Sequence, residues 1–309
     1  MKAVLVSPQS PACLAIGDAP DPRADSNQTI VRVSTVSLNR GEVRRAQTMD
    51  AGAPLGWDLA GIVEQAASNG EGPAQGSRVV GFSRALNGWA QLCAVPVNDL
   101  AIVPEQISLA DASTLPVAGL TALYGLERGH RLLAANVLIT GASGGVGYFA
   151  CQLARAMGAD VTALIRNPAN EALVRAAGAQ NVITGDPAAH GPYQLVFDGV
   201  AGDGLGELLS CLAEDGRAVL YGVSDGPHTP LAVRDLMATG AGRVEGFHLY
   251  RESQYAHSCH GLARLMKLMM QQRLTTMISR LEDWSQVGEV AQALLDRSYS
   301  GKAVLTIAQ

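Results

Sequence analysis

The run Asn136-Val-Leu-Ile-Thr-Gly-Ala-Ser-Gly-Gly-Val-Gly147 holds the residues best placed to do chemistry. Val137, Leu138 and Ile139 form a short apolar β-run, and residues 148–158 continue with helical spacing. Between them Ala142, Gly144 and Gly147 take the three small-residue positions of a G-x-G-x-x-G turn, with alanine at the first. A turn of this kind lets the backbone approach a pyrophosphate. The helix behind it offers free N–H groups and the positive end of its dipole. Ser143, Gly144, Gly145, Val146 and Gly147 are therefore the candidate contacts for a dinucleotide. Glycine turns also serve as plain strand–helix connectors. Here a second apolar run at 161–165 completes a βαβ unit, the context that favours the dinucleotide.

The residue ending that second strand chooses between dinucleotides. An acid there accepts hydrogen bonds from the ribose hydroxyls of NAD, whereas a cation accommodates the 2′-phosphate of NADP. This chain reads Leu164-Ile165-Arg166-Asn167, with no Asp or Glu from 161 to 170. Arg166 can pair bidentately with a phosphate that a carboxylate would repel. The alternative is an arginine solvated in a loop. Arg166 and Asn167 point to NADPH as the cofactor.

The elements that must position these groups are legible around them. The chain has 309 residues, enough for two domains. With 48% hydrophobic and 17% charged residues it has the composition of an ordinary globular core. A net charge of −5 leaves no electrostatic footprint for nucleic acid, and no apolar run is long enough to span a membrane. Met1-Lys-Ala-Val-Leu-Val-Ser-Pro8 is too short in its apolar part for a signal peptide and reads as a first strand. The five cysteines are far apart and form no C-x-x-C, which fits reduced, buried thiols and a cytoplasmic location. Residues 1–115 read as β-rich, with runs at 29–34, 61–65 and 76–82. Helical spacing covers 109–129. Strands at 181–184, 194–197, 218–221 and 243–247 then alternate with helical patterns at 170–177, 204–213 and 231–239. That alternation predicts a doubly wound parallel sheet. Amphipathic helices at 253–272 and 285–297 and a strand at 303–307 close the chain. The expected division is a β-rich domain over 1–115, a dinucleotide domain over 116–250, and a segment over 251–309 that returns to the first.

Further motifs coincide, in order, over almost the whole chain. They are Ser37-Leu-Asn39, Gly56-Trp-Asp-Leu-Ala-Gly-Ile-Val63, Gly76-Ser-Arg-Val-Val-Gly81, Gly88-Trp-Ala-Gln91, Thr114-Leu-Pro-Val-Ala-Gly-Leu-Thr-Ala122, Phe197-Asp-Gly199, Gly222 and Gly301-Lys-Ala-Val-Leu305. With the glycine turn, they give a sequence that resembles the medium-chain dehydrogenase/reductase superfamily in its zinc-free quinone oxidoreductase branch. The resemblance implies an α/β fold, a Rossmann doubly wound parallel sheet plus a GroES-like β-rich catalytic domain. It also implies hydride transfer from NADPH to a small-molecule quinone or activated alkene.

Zinc alcohol dehydrogenases of that superfamily hold a catalytic metal with a Cys, a His and an acid. Asn39 stands where the Cys belongs, and Gly56-Trp57-Asp58 where Gly-His-Glu belongs. No cysteine quartet exists for a structural zinc, and His257 and His260, spaced i,i+3 around Cys259, do not complete the four-ligand set that such a site needs. No metal is expected, and substrates whose conjugation already makes a carbon electrophilic suit such a site. The resemblance implies catalytic roles for Asn39, beside the nicotinamide, and for Thr121 at its edge. It implies cofactor contacts at Gly222, Val223 and Ser224, at Phe247, His248 and Leu249, and at Arg297. On their own residue chemistry, Asn39 can equally cap an Asx-type turn, Thr121 bond within its helix, and Arg297 sit solvated at a helix end. Trp57, Phe82 and Tyr250 are the candidate wall of a substrate pocket, while Trp89 reads as core. Residues 42–49 hold no tyrosine, so water is the expected proton source, with Thr48 and Tyr250 the other candidates. Two further functions share these motifs, an enoyl-thioester reductase of fatty-acid or polyketide metabolism and a non-catalytic NADPH-binding protein. A homodimer is expected through the edge strand 243–249, with Val244 and Phe247 as apolar surface and Arg243 and Glu245 pairing across the axis.

Overall fold

The computed structural model describes residues 1–240 and 242–308. They form two compact units, one from Met1–Leu120 with Ser253–Gln309 and the other from Thr121–Glu252.

The first unit opens with an antiparallel pair, β1 (Lys2–Val6) and β2 (Leu14–Asp18). β3 (Gln28–Ser37) follows, with Val31 and Val33 turned into the core and Arg32 outward, the period-two pattern of a half-buried strand. The helix α1 (Arg40–Ala46) starts directly after it. Then come β4 (Asp58–Gln65), β5 (Arg78–Phe82), β6 (Leu92–Pro96) and β7 (Leu100–Ile102). A short helix α2 (Leu109–Ser113) leads into a wide π-type turn at Leu115–Gly119. Val31, Leu59, Val79, Trp89 and Leu305 belong to one buried cluster of this unit.

The second unit alternates helix and strand: α3 (Leu120–Glu127), β8 (Asn136–Thr140), α4 (Gly145–Ala156), β9 (Asp160–Leu164), α5 (Glu171–Ala176), β10 (Asn181–Ile183), β11 (Tyr193–Asp198), α6 (Leu205–Ser210), β12 (Leu212–Leu220), α7 (Val233–Ala238), β13 (Arg243–Gly246) and α8 (Leu249–Glu252). Its six-stranded sheet has the order β10-β9-β8-β11-β12-β13, and its strand pairs are parallel. The order reverses between β8 and β11, which makes their carboxyl ends the switch point where such sheets take ligands.

The chain then returns to the first unit through α9 (Ser258–Met270), β14 (Ile278–Asp283), α10 (Val287–Leu295) and β15 (Lys302–Thr306). β15 inserts between β14 and β3 in the seven-stranded sheet. A Rossmann sheet in one unit and a GroES-like β-rich arrangement in the other make up the fold.

Some expected elements are redrawn. The helical stretch 109–129 is three pieces, because Pro116 has no N–H to continue a helix across the π-type turn. The strand expected at 218–221 begins at Leu212, which pairs with Tyr193 across a register shift, so α6 stops at Ser210. The helix expected over 253–272 is only α9, preceded by the separate turn α8. Cys93, Cys151 and Cys211 are buried, but Cys13 and Cys259 are half-exposed.

Candidate active site

In the second unit the loops after the strands gather on the carboxyl edge of the parallel sheet. Gly141 sits at φ +56°, the left-handed conformation that starts the glycine turn. Gly144 caps α4 in an extended conformation, and no side chain caps the helix. A Cβ on Gly147 would press into the Gly141 carbonyl and come within 2.6 Å of the Ala142 Cα. Only a glycine lets the first turn of α4 lie so close to the loop. Ser143 to Val146 stay half-exposed around that helix start. These features form a cradle that fits the diphosphate of a dinucleotide.

Neighbouring loops are tied to the same edge by hydrogen bonds. Buried Asp198 accepts from the Thr140 hydroxyl at 2.6 Å and from the Ala201 N–H at 2.8 Å, joining the ends of β8 and β11. Burial raises the Asp198 carboxyl above its ordinary value, against those hydrogen bonds. The Ser224 N–H donates to the Gly199 carbonyl at 3.2 Å, which holds Gly222, Val223 and Ser224 beside that junction. Tyr221 stacks on Phe197 with ring centroids 4.4 Å apart. Past β9, Arg166 is exposed. Asn167 is occupied as a cap, its side-chain oxygen accepting from the Ala169 N–H at 3.0 Å. Phe247 and Leu249 are buried, His248 is exposed, and the half-buried Tyr250 ring lies 5.5 Å from that of His248. Thr121 is buried in the first turn of α3.

The first unit holds a cluster of buried charge. Asn39 precedes α1, and the Glu42 carboxyl one turn later reaches back to accept its N–H at 2.8 Å, half of a capping box. Glu42 also accepts from the Asn39 side-chain amide at 2.9 Å and the Trp57 N–H at 2.7 Å. Asp58 Oδ2 accepts from the Ser37 hydroxyl at 2.7 Å, Asn39 Nδ2 at 2.8 Å and Lys302 Nζ at 3.3 Å. Its Oδ1 takes the Val117 N–H at 2.9 Å, from the first turn of the π-type segment. Lys302 Nζ donates as well to the Leu38 carbonyl at 2.9 Å and to Asn39 Oδ1 at 2.6 Å. Glu42 and Asp58 are 0% exposed and Lys302 3%.

The structure therefore brings Asn39 and Trp57 together with Asp58, given above only as the acid of the Gly56-Trp57-Asp58 stretch, and adds Glu42 and Lys302, to which the sequence reading assigned no role. Both amide hydrogens of Asn39 are already given to carboxyl groups, so its expected hydrogen bond to a nicotinamide or substrate oxygen competes with this network. Phe82 departs from its expected place in a pocket wall: paired with Asp58 at the end of β5, it is wholly buried in the core. The expected edge surface changes too. The strand stops at Gly246, Phe247 is 7% exposed, and Glu245 is paired at 3.2 Å with Arg128 of its own unit. Arg297 lies in the first unit at φ +58°, in the reversal that ends α10. Thr48 donates its hydroxyl to the Arg45 carbonyl at 3.1 Å.

The superfamily's zinc finds no fitting donor set. Asn39 and Trp57 stand where the resemblance puts the Cys and His, the Lys302 ammonium donates to Asp58, and the described residues include no group of three or more His, Cys, Asp or Glu suited to a metal.

A Rossmann sheet with a glycine-turn cradle, in one chain with a GroES-like unit, is an architecture shared by a family of oxidoreductases. Comparison with known proteins agrees. Residues 145–266 match the zinc-binding dehydrogenase family, a stretch that does not include Asn39, Trp57 or Asp58. The spectinabilin polyketide synthase system protein NorB of Streptomyces orinoci is 32% identical over 94% of this chain, which spans only 14% of that protein's length. Quinone oxidoreductase-like protein 2 of Bos taurus is 26% identical, covering 82% of this chain and 76% of its own. The structure of the quinone oxidoreductase from Coxiella burnetii aligns with a TM-score of 0.86 and 26% identity over 100% of this chain and 99% of that one. The chain belongs to the medium-chain dehydrogenase/reductase superfamily, in its quinone oxidoreductase-like branch.

Proposed function

We propose that the protein is a zinc-independent, NADPH-dependent reductase of quinones or α,β-unsaturated carbonyls. The observation that carries this reading is the Lys302 ammonium set between Asn39 and Asp58. It neutralises the acid at positions where zinc relatives keep metal ligands, and it leaves no Lewis acid to polarise an alcohol or a simple ketone. A substrate must then bring its own electrophilic carbon.

NADPH, when bound, supplies the hydride. The backbone of Ser143 to Gly147 would receive its diphosphate, and Arg166 its 2′-phosphate. Gly222 to Ser224 and the backbone of Phe247 to Leu249 would border the nicotinamide end, with Thr121. Negative charge developing on the acceptor oxygen calls for a hydrogen-bond donor, and Asn39 is the candidate. Trp57 and Tyr250 would supply apolar surface, and water the proton. The bovine and Coxiella relatives, both named as quinone oxidoreductases or quinone oxidoreductase-like, favour the quinone. NorB, named as part of a polyketide synthase system, favours a second reading, an enoyl-thioester reductase.

A screen of NADPH and NADH oxidation over quinones, enones and enoyl thioesters, with metal analysis of the same protein, tests this. NADPH-specific turnover of a quinone or enone without stoichiometric zinc is expected. Turnover of thioesters alone would select the second reading. Binding of NADPH without turnover would mark a non-catalytic binding protein, and one tightly held zinc per chain would overturn the metal-free site.

A further inference from the structure

Two carboxyl groups and one ammonium share the buried cluster of the first unit. If all three are ionised, a net negative charge lies where no water reaches, and a proton is the ordinary remedy. The hydrogen bonds say where that proton goes. Asp58 receives four donors, one of them the Lys302 ammonium. Lys302 directs its three hydrogens to the Leu38 carbonyl, Asn39 Oδ1 and Asp58 Oδ2, and none to Glu42. Glu42 has three donors, all neutral: two on Oε1 and only the Trp57 N–H on Oε2. Its Oε2 is the place left for a proton. Burial and the Asp58 carboxylate push the Glu42 carboxyl up to about 8, against the pull of Lys302, Asn39 and the Trp57 N–H.

That proton matters for Asn39. The amide orientation is fixed by its partners, because an ammonium only donates and must face Oδ1, which turns Nδ2 to the carboxyl groups. A hydrogen bond to an ionised carboxylate is roughly twice as strong as one to a neutral group. With Glu42 ionised, Asn39 is clamped on both amide hydrogens. With Glu42 neutral, one hydrogen is held less strongly and can be shared with a second acceptor without turning the amide, which Lys302 and Asp58 keep in place. We propose that Glu42 is a positioning residue whose proton sets whether Asn39 can donate to a substrate or cofactor oxygen. This rests on the reductase reading above. The charged groups facing Glu42 are Asp58 from β4 and Lys302 from β15. On its own helix, Arg44 and Arg45 are exposed, and Arg40 donates to the carbonyls of Leu294 and Leu295 at the end of α10.

The test follows kcat for NADPH oxidation across the alkaline range. In the parent, kcat declines above about pH 8, the region where Glu42 loses its proton, approaching about tenfold per pH unit for a single proton. Glu42→Gln has no proton to lose and gives a profile without that decline. Asp58→Asn removes the like-charged neighbour and moves the decline to lower pH; it carries the test if Glu42→Gln does not fold. A decline kept unchanged in Glu42→Gln, or absent from the parent, overturns the proposal. Infrared spectroscopy of the substrate-free protein needs no turnover. The carbonyl band of a protonated buried carboxyl should vanish from the parent as pH passes about 8 and be missing from Glu42→Gln. If no acceptor is reduced at any pH, the reductase reading fails, and this band alone decides: its titration upholds the proton on Glu42, and its absence overturns it.

Discussion

Arg166 is exposed just past β9, and among the described residues it makes no ion pair that would have to break before it met a phosphate. Its replacement by alanine should therefore cost NADPH binding and little else. A charge-assisted hydrogen bond of about 1.5–3 kcal/mol corresponds to a rise of about 10–150-fold in KM for NADPH. The weak use of NADH should hardly change. Steady-state kinetics with both cofactors check this, and equal efficiency of the parent with the two would count against it. Lys302 is the opposite kind of residue, wholly engaged. Lys302→Met leaves Asp58 buried without its cation, a change that destabilises by about 3–5 kcal/mol, read from urea unfolding. Glu42 adds a pH dependence of definite sign. Its carboxyl is raised from 4.5 to about 8 in the folded chain. Between those values the folded state holds the proton that the unfolded state has released. Stability therefore falls as pH rises through that window, by about 1.4 kcal/mol per unit for one proton, and levels off above it. Urea midpoints over this range should show that slope in the parent and lose it in Glu42→Gln.

The turn between β8 and α4 is held by packing as much as by conformation. Gly147→Ala must push α4 away from the Ala142 backbone, and overpacking of this kind costs about 1–3 kcal/mol. Thermal unfolding and NADPH titration of the variant should both show the loss. Gly246, where a Cβ would meet nothing within 4 Å, provides the control: Gly246→Ala should stay within about 0.5 kcal/mol of the parent. This turn was legible in the sequence because strand, glycines and helix are contiguous, and each period is short and unbroken. The charged cluster was not. Lys302 meets residues 263 and 264 positions away, and nothing local marks such a contact. Asp58 heads an apolar strand and Lys302 sits in an apolar run, the pattern of charges that must be paired once buried. Only Asn39-x-x-Glu42 carried a local sign, the spacing of a capping box. Phe82, wholly buried in the structure, shows a related ambiguity. An aromatic at a strand end reads alike whether it lines a pocket or fills the core, and its burial is set by strands distant in sequence.

β13 ends the six-stranded sheet, and a strand edge of that kind is commonly paired with a second copy. Val244 is 44% exposed there, whereas Glu245 and Phe247 are engaged within their own unit. A two-fold pairing would therefore rest on the strand backbone and Val244, without the Arg243–Glu245 contact expected from the sequence. Light scattering should give the mass of two chains, and Val244→Lys the mass of one; a single-chain mass for the parent would exclude the pairing. The first unit is discontinuous, and this has a consequence for how the chain is made. Synthesis runs from the amino end, and domains fold as units while it proceeds. The second unit, Thr121–Glu252, is complete once its last helix has left the ribosome. The first unit must wait for β15, which supplies both a strand beside β3 and, among the described residues, the cation paired with Asp58. A chain released early keeps two acids in a hydrophobic setting with no counter-ion to admit them. Such a fragment should stay open at β3 and be an early target of proteases, so that the last strand acts as a check on completeness.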